Sequence, residues 1–500
     1  MKQYKINDFL SKIVQIYAAL MVSIFLFYFH DGYFDITASK YQCFLFLTYG
    51  TLCILFISCL CLKQKICFSI FYPKSICDWS IYILSACHVI TTICSPYPYE
   101  SIWGTYGRGC GLIFTFTIGC MYLMVTRFLP SISSILSVFL YSCFIVIGLG
   151  MCNFCGWDVF GIFKELDVTI AYRYLSTTGN VTFFAHLMCF FLPISCVLYQ
   201  TSHTYQQRYC YALCVCSGFI GLYIANIDSA YLGISAFLLF HWYQNCLDHQ
   251  RLQRFLEVLM FGNGCAVVLG LCSKIIPMRT YIGFSSIIYS FIPAICLCLH
   301  LFLYLYHRHH IYEKRVYLRI RKHIVYFISL CLICLLILFL YVSFVNTDMN
   351  LGNLSGYLHF DDAWGSRRGF AWKSLSYLFW HDFSLFQKLF GYGLDSVRIL
   401  MGQMVAVQDS IYFDNAHNEY LQYLMTSGLF GLISYLIFYV SAMVRLFRNK
   451  SDTATILLSI LIAHGVQACC SINQPITTPL LFLFIALGEG LLTTHYYEIH

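Results

Sequence analysis

The residues best placed to do chemistry lie in Asp414-Asn415-Ala416-His417-Asn418-Glu419-Tyr420-Leu421-Gln422, where a polar loop runs into strongly apolar sequence. Asp414 and Asn415 are good helix N-caps, because their side-chain oxygens accept the orphan amide hydrogens of a helix start. On that reading His417 falls in the first turn, and Leu421, Leu424, Gly428 and Gly431 follow it down one helical face. The positive end of the helix dipole disfavours a second positive charge there, which keeps the imidazole neutral. A neutral imidazole can take the proton of a hydroxyl as that hydroxyl attacks. The bland alternative is an interfacial histidine satisfied by water, and the helix-start geometry alone favours it. Glu419, read into the same turn, either orients an attacking group or simply suits the helix dipole.

Four arginines are the other candidates. Arginine suits an anionic ligand, because its planar fork pairs with carboxylate or phosphate oxygens and stays charged. Arg108 sits in Trp103-Gly104-Thr105-Tyr106-Gly107-Arg108-Gly109, Arg173 precedes Ser176-Thr177-Thr178-Gly179-Asn180, and Arg367 and Arg368 lie in Gly365-Ser366-Arg367-Arg368-Gly369-Phe370-Ala371-Trp372. For each one alone, snorkelling to lipid headgroups is the better account. Together, at helix starts on one face, they read equally well as an anion site.

These residues must be held by membrane helices. The chain has 500 residues, 59% hydrophobic and only 11% charged, with a mean hydropathy of +0.70. Soluble domains carry about 25% charged residues, so this is an integral membrane protein. Apolar runs of spanning length fall at 13–30, 41–62, 76–94, 109–128, 132–151, 179–199, 209–225, 230–247, 255–272, 284–306, 324–346, 417–445, 454–472 and 476–495. The expected fold is an all-α polytopic bundle of about 12–14 transmembrane helices, one membrane domain over 1–500. The run after the basic stretch Met1–Lys12 lacks a small-residue cleavage site and reads as a retained first helix.

The net charge of +7 does not point to nucleic acid, because the basic residues collect in short loops. These loops hold Lys63, Lys65 and Lys74; Arg251 and Arg254; Arg308, Lys314, Arg315, Arg319, Arg321 and Lys322; and Arg445, Arg448 and Lys450. The positive-inside rule places them, and both termini, in the cytoplasm. Loops at about 95–108 and 152–178 and the long loop 347–416 then lie outside. The long loop is rich in Trp, Phe and Leu, and Gly369–Leu385 within it reads as an interfacial amphipathic helix. The 27 cysteines are scattered through apolar sequence, where cysteine acts as a small hydrophobe. Cys152 and Cys155 form the one outer CxxC, readable as a redox pair or as two interfacial thiols.

The block Ala416–Gln422, with Gly428-Leu429-Phe430-Gly431 after it, resembles the signature of the O-antigen ligase and polymerase superfamily of bacterial membrane proteins. Weaker resemblances support it. Gly365–Trp372 is similar to the family's Gly-Ser-Gly-Arg-x-x-x-Trp block, with Arg368 at the family arginine and Arg367 at a glycine position. Thr178–Ala185 is similar to a Gly-Asn-x-Asn block, the segment around Arg108 to an early outer-loop pattern, and Phe390–Gly393 to a Leu-Gly-x-Gly. Asp228-Ser229-Ala230 departs from the family, which often has Ser-Arg there.

The resemblance implies a GT-C-like, metal-independent, inverting glycosyltransferase of the bacterial inner membrane that needs no cofactor. It would move a glycan from an undecaprenyl-diphosphate carrier to an acceptor hydroxyl of a glycan, lipid or protein. His417 would be the catalytic base. Arg108, Arg173, Arg367, Arg368, Trp372, Asn418 and Glu419 would contact substrate. Ligase and polymerase share the motif and stay undivided. Two metal-like groupings are weaker: His307-Arg308-His309-His310 reads as a solvated cytoplasmic cluster, and Asp361, Asp362 and Asp414 as at most a loose set. The rival class is a secondary transporter or exporter. It would need ionisable groups at mid-membrane, where Glu489 is the clearest.

The orientation is testable. In a cysteine-depleted background, single cysteines in 347–416 should react with an impermeant reagent in intact cells, and cysteines in 307–323 only after permeabilisation. The reverse pattern would invert the topology.

Overall fold

The computed structural model describes residues 2–62, 71–167, 173–274, 290–309, 313–349, 351–404 and 413–499. Lys63, Lys65 and His310 fall outside them. Ten helices among the described residues are long and apolar enough to cross a membrane, from Asn7–Phe27 to Asp452–Cys470. Leu112–Arg127 and Thr478–Thr493 are shorter apolar helices. Helices also stand at Asp228–Asn245 and Ile292–His309, so every apolar run read from the sequence coincides with a helix over its described residues. The protein is an all-α polytopic membrane bundle, and its only sheet among the described residues is the two-residue pair Tyr174–Leu175 and Gly179–Asn180.

Local chemistry sets the helix starts. Asn180 caps Val181–Thr201 by accepting from the Thr182 amide at 2.8 Å, Ser75 caps Ile76–Ile93, and Thr204 and Gln207 form a reciprocal capping box. Val181–Thr201 is the central helix, with 83% of its apolar window buried.

The helix Ile76–Ile93 lies antiparallel to Glu419–Arg448, because Cys77 Sγ meets Ser441 Oγ at 3.0 Å while Thr91 Oγ1 donates to the Thr426 carbonyl at 3.1 Å. The bundle thus has an Asp78–Arg445 end and a His417 end. Ionisable groups are commoner inside it than the apolar runs suggest. Asp78 pairs with Arg127 at 2.7 Å and accepts from Tyr122, and Arg445 pairs with Glu489. Lys40 donates to the carbonyls of Phe25, Leu26 and Tyr28 at 2.8, 2.9 and 3.1 Å, where the first span breaks. Each buried charge has found a partner, the condition on which charges persist in an apolar interior. His307 is likewise not solvated: it is buried, bonded to Tyr317 at 2.7 Å and to the His249 carbonyl at 3.1 Å.

The long loop folds on the His417 end. The expected helix Gly369–Leu385 is instead Trp364–Tyr377, a π-turn over Leu378–Asp382 and a short helix Leu385–Phe390. These pack a second small core in which Ala371, Leu375, Leu400 and Met401 meet Ala416 and Met425. The segment is held over the motif helix by a backbone crossing. At Gly428 the helix Glu419–Arg448 breaks, with φ 68° and ψ −170°. The carbonyls of Met425 and Thr426, freed by the break, accept from the amides of Tyr392 at 3.0 Å and Gly393 at 3.4 Å. A Cβ on Gly428 would press on the Leu389 carbonyl, and one on Gly391 on the Thr426 carbonyl.

Gly428→Ala should therefore be severe, because it combines a left-handed φ with a backbone clash. We expect a loss of more than about 2 kcal/mol, read as a lower unfolding temperature in detergent. An unchanged melting curve would show that the crossing carries no strain barrier.

Candidate functional site at the His417 end

The site is built from three backbone devices. The first presents Arg108. Its loop turns through three glycines with left-handed φ, Gly104, Gly107 and Gly109, and a Cβ on Gly104 would collide with Gly109. The Asp395 carboxylate clamps the loop, accepting from Thr105 N at 2.7 Å, Thr105 Oγ1 at 3.0 Å and Cys110 N at 3.2 Å. Burial pushes the Asp395 carboxyl up to about 6, against the pull of these bonds and of Arg108. Arg108 then grips Asp414 Oδ2 through Nε at 3.0 Å and Nη2 at 2.5 Å.

The second device shapes the His417 turn. The helix begins at Glu419 and its cap is Asn418, whose side chain accepts from Leu421 N at 3.0 Å. Asp414 and Asn415 are not the caps. His417 lies just before the helix with φ 49°, and its amide donates to Asn415 Oδ1 at 2.9 Å. Ala416 is fixed on both sides, its amide donating to Gln422 Oε1 at 3.0 Å and its carbonyl accepting from Trp372 Nε1 at 2.9 Å. Among the described residues no hydrogen bond engages the His417 ring. Burial pushes its pKa down to about 4, helped by the positive charges of Arg368 and Arg108 and opposed by Asp414. Neutrality therefore comes from burial and two guanidiniums, not from a place in the first helical turn.

The third device aims Arg368. Gly365, Ser366 and Arg367 form a left-handed turn with φ of 58°, 61° and 71°. Ser366 and Arg367 hold a conformation that costs non-glycine residues about 1–2 kcal/mol each. The turn leaves Arg367 exposed and half-buries Arg368. The charge of Arg368 reaches His417, Asp228 and Cys470. Among the described residues no carboxylate forms an ion pair with it.

The structure thus gathers His417, Arg108 and Arg368 into one cluster and sets the other sequence candidates around it. Trp372 and Asn418 brace its backbone. Glu419 turns into the bundle, 1% exposed, where it accepts from Tyr435 at 3.2 Å and lies 3.5 Å from His464 Nε2. Arg173 sits exposed beside the small hairpin and is not among the charges that act on His417. Asp362 pairs with Lys373 at 3.0 Å, and Asp414 with Arg108, so the loose aspartate set is not assembled. Cys152 and Cys155 are separate thiols. Asp395 was missed by sequence reasoning. Its only signal is a lone acid two residues after the glycine turn 391–393.

The polytopic helical bundle thus carries at one end, under a folded loop, a neutral histidine beside an arginine that has no ion pair among the described residues. Residues 275–436 match the O-antigen ligase family (Wzy_C), which bears out the resemblance carried by the His417 block. The matched stretch holds Arg367, Arg368, Trp372 and His417, and leaves the segments around Arg108 and Arg173 outside it. The activity class that goes with it is membrane glycan transfer of the O-antigen ligase and polymerase type. No curated protein matches the chain.

Arg368→Gln removes the larger of the two cationic influences on His417, so the pKa of the ring should rise from about 4 towards the ordinary value of about 6.5. The imidazole is neutral above its pKa, so protonation in the variant should set in at higher pH. Nitrogen NMR of labelled histidine, assigned through His417→Gln, would measure this. An unmoved titration would show that the guanidinium does not face the ring.

Proposed function

We propose that the protein transfers a glycan from an undecaprenyl-diphosphate donor to an acceptor hydroxyl, with the His417 end of the bundle facing outside and both termini in the cytoplasm. The single observation that carries this reading is a partly buried, neutral imidazole beside Arg368, an arginine that among the described residues has no carboxylate partner. In the proposed step the acceptor hydroxyl gives its proton to His417 and its oxygen bonds to the anomeric carbon. The bond from that carbon to the diphosphate breaks, and the electron pair leaves with the diphosphate. Attack from the side opposite the leaving group inverts the anomeric configuration.

The two arginines have unequal parts. Arg368 is free to pair with the diphosphate, and its fork stabilises the charge that grows there. Arg108 is committed to Asp414 and contributes its field and the position of the His417 turn. Arg367, exposed on the left-handed turn, serves the aim of its neighbour. The diphosphate is a good leaving group and the cationic stabilisation is organic, so the step as drawn uses neither a general acid nor a metal.

The test uses membranes with matched protein levels and supplied lipid-linked donor. His417→Ala should lower donor turnover by roughly a hundred- to ten-thousandfold, the usual share of a general base. Arg368→Lys should lose much of the activity, because lysine cannot make the bidentate contact, while Arg367→Lys should lose less. Turnover by His417→Ala at the wild-type rate would refute the mechanism.

A further inference from the structure

A second charged site lies on the basic-loop side of the bundle, remote from His417. The helix Lys314–Phe344 opens with Lys314, Arg315, Arg319, Arg321 and Lys322 and has no acidic residue along its length. Lys314 and Arg315 stand in the first turn, where the helix dipole disfavours cations. Arg315 with Arg319, and Arg319 with Lys322, are like-charge neighbours at helical spacing, which repel. Among the described residues none of the five has a carboxylate within ion-pair distance.

This arrangement surrounds a cavity of about 500 Å³. Arg319, Arg321 and Lys322 supply its charge, and Leu318 and Val325 its apolar wall. Two tyrosine rings close it. The Arg321 guanidinium lies 4.5 Å from the centre of the Tyr243 ring and donates to the Tyr243 carbonyl at 3.5 Å. Lys322 Nζ lies 5.6 Å from the centre of the Tyr326 ring. Arg321 is thereby anchored, and Arg319 and Lys322 remain to meet a ligand. Further along the helix the side chains are apolar and exposed, as at Phe327 and Leu330, and none of its apolar window is buried. Charge, then aromatic rings, then bare apolar surface succeed one another along one helix.

We infer that this pocket binds the phosphate of an anionic glycerophospholipid, with the acyl chains lying along Val325 and the apolar turns beyond it. A phosphate there neutralises the repelling cations. The apolar continuation assigns the phosphate to a membrane lipid, since a soluble phosphate has no use for it.

The test takes the full-length protein in detergent, where the part that these cations play in orientation does not enter. Native mass spectrometry would count bound lipid after addition of phosphatidylglycerol or phosphatidylcholine, with glycerol phosphate as the soluble probe. Phosphatidylglycerol should be retained, and phosphatidylcholine and glycerol phosphate should not. The double variant Arg319→Gln/Lys322→Gln should weaken phosphatidylglycerol binding about thirtyfold, from two surface cations removed. Both side chains are exposed, so the lipid-free melting temperature should not change, and that measurement identifies a folding defect. If melting does change, Arg319→Lys/Lys322→Arg, which keeps both charges, should bind as the wild type does. Equal binding of the two lipids, or undiminished phosphatidylglycerol binding by a folded double variant, would overturn the assignment. Glycerol phosphate binding as tightly as the lipid would overturn its lipid source.

Discussion

The break at Gly428 is the constraint on which the His417 end depends. A helix that ran straight from Glu419 to Arg448 would keep the carbonyls of Met425 and Thr426 in its own ladder. Because it breaks, those carbonyls are available, and the amides of Tyr392 and Gly393 take them up together with the Thr91 hydroxyl. A buried carbonyl without a donor costs free energy comparable to a lost hydrogen bond, so break and crossing segment stabilise each other. The crossing also brings Asp395, three residues after Tyr392, against the Arg108 loop. One backbone irregularity thus joins the early loop at 104–110, the long loop and the motif helix.

The electrostatics of the cluster follow from that joining. Arg108 and Asp414 satisfy each other, whereas among the described residues Arg368 has no ion-pair partner. His417 stays uncharged because it is buried and flanked by positive charge. A protonated imidazole would be a third cation in the same small space. The left-handed Gly365–Arg367 turn is the cost of aiming one of two adjacent arginines inward, and strain of this kind persists where the surrounding packing over-determines it.

The opposite end of the bundle uses charge differently. Asp78 with Arg127 and Arg445 with Glu489 are closed pairs. None leaves an open valence for a ligand. The basic start of Lys314–Phe344 does leave one, and the His417 end leaves another. Open charge therefore lies at the two ends of the bundle, and between them the buried Glu419 is set against His464.

The sequence by itself determined the class of the protein. Apolar length and scarcity of charge force a helical membrane bundle, and every apolar run became a helix over its described residues, because in an apolar solvent a helix satisfies its own backbone. The sequence also marked His417, Arg108 and Arg368, which the structure gathers into one cluster. It misjudged how they are held. The start of the motif helix at Glu419, the capping role of Asn418, the inward turn of Glu419 and the clamp at Asp395 all depend on contacts between residues far apart in the chain. Local pattern has no access to those contacts. Arg108 and Asp414, separated by 306 positions, meet only because the fold brings their loops to one end. Which of the two arginines is gripped by a carboxylate was decided by that meeting, because the pairing needs two loops that only the fold brings together.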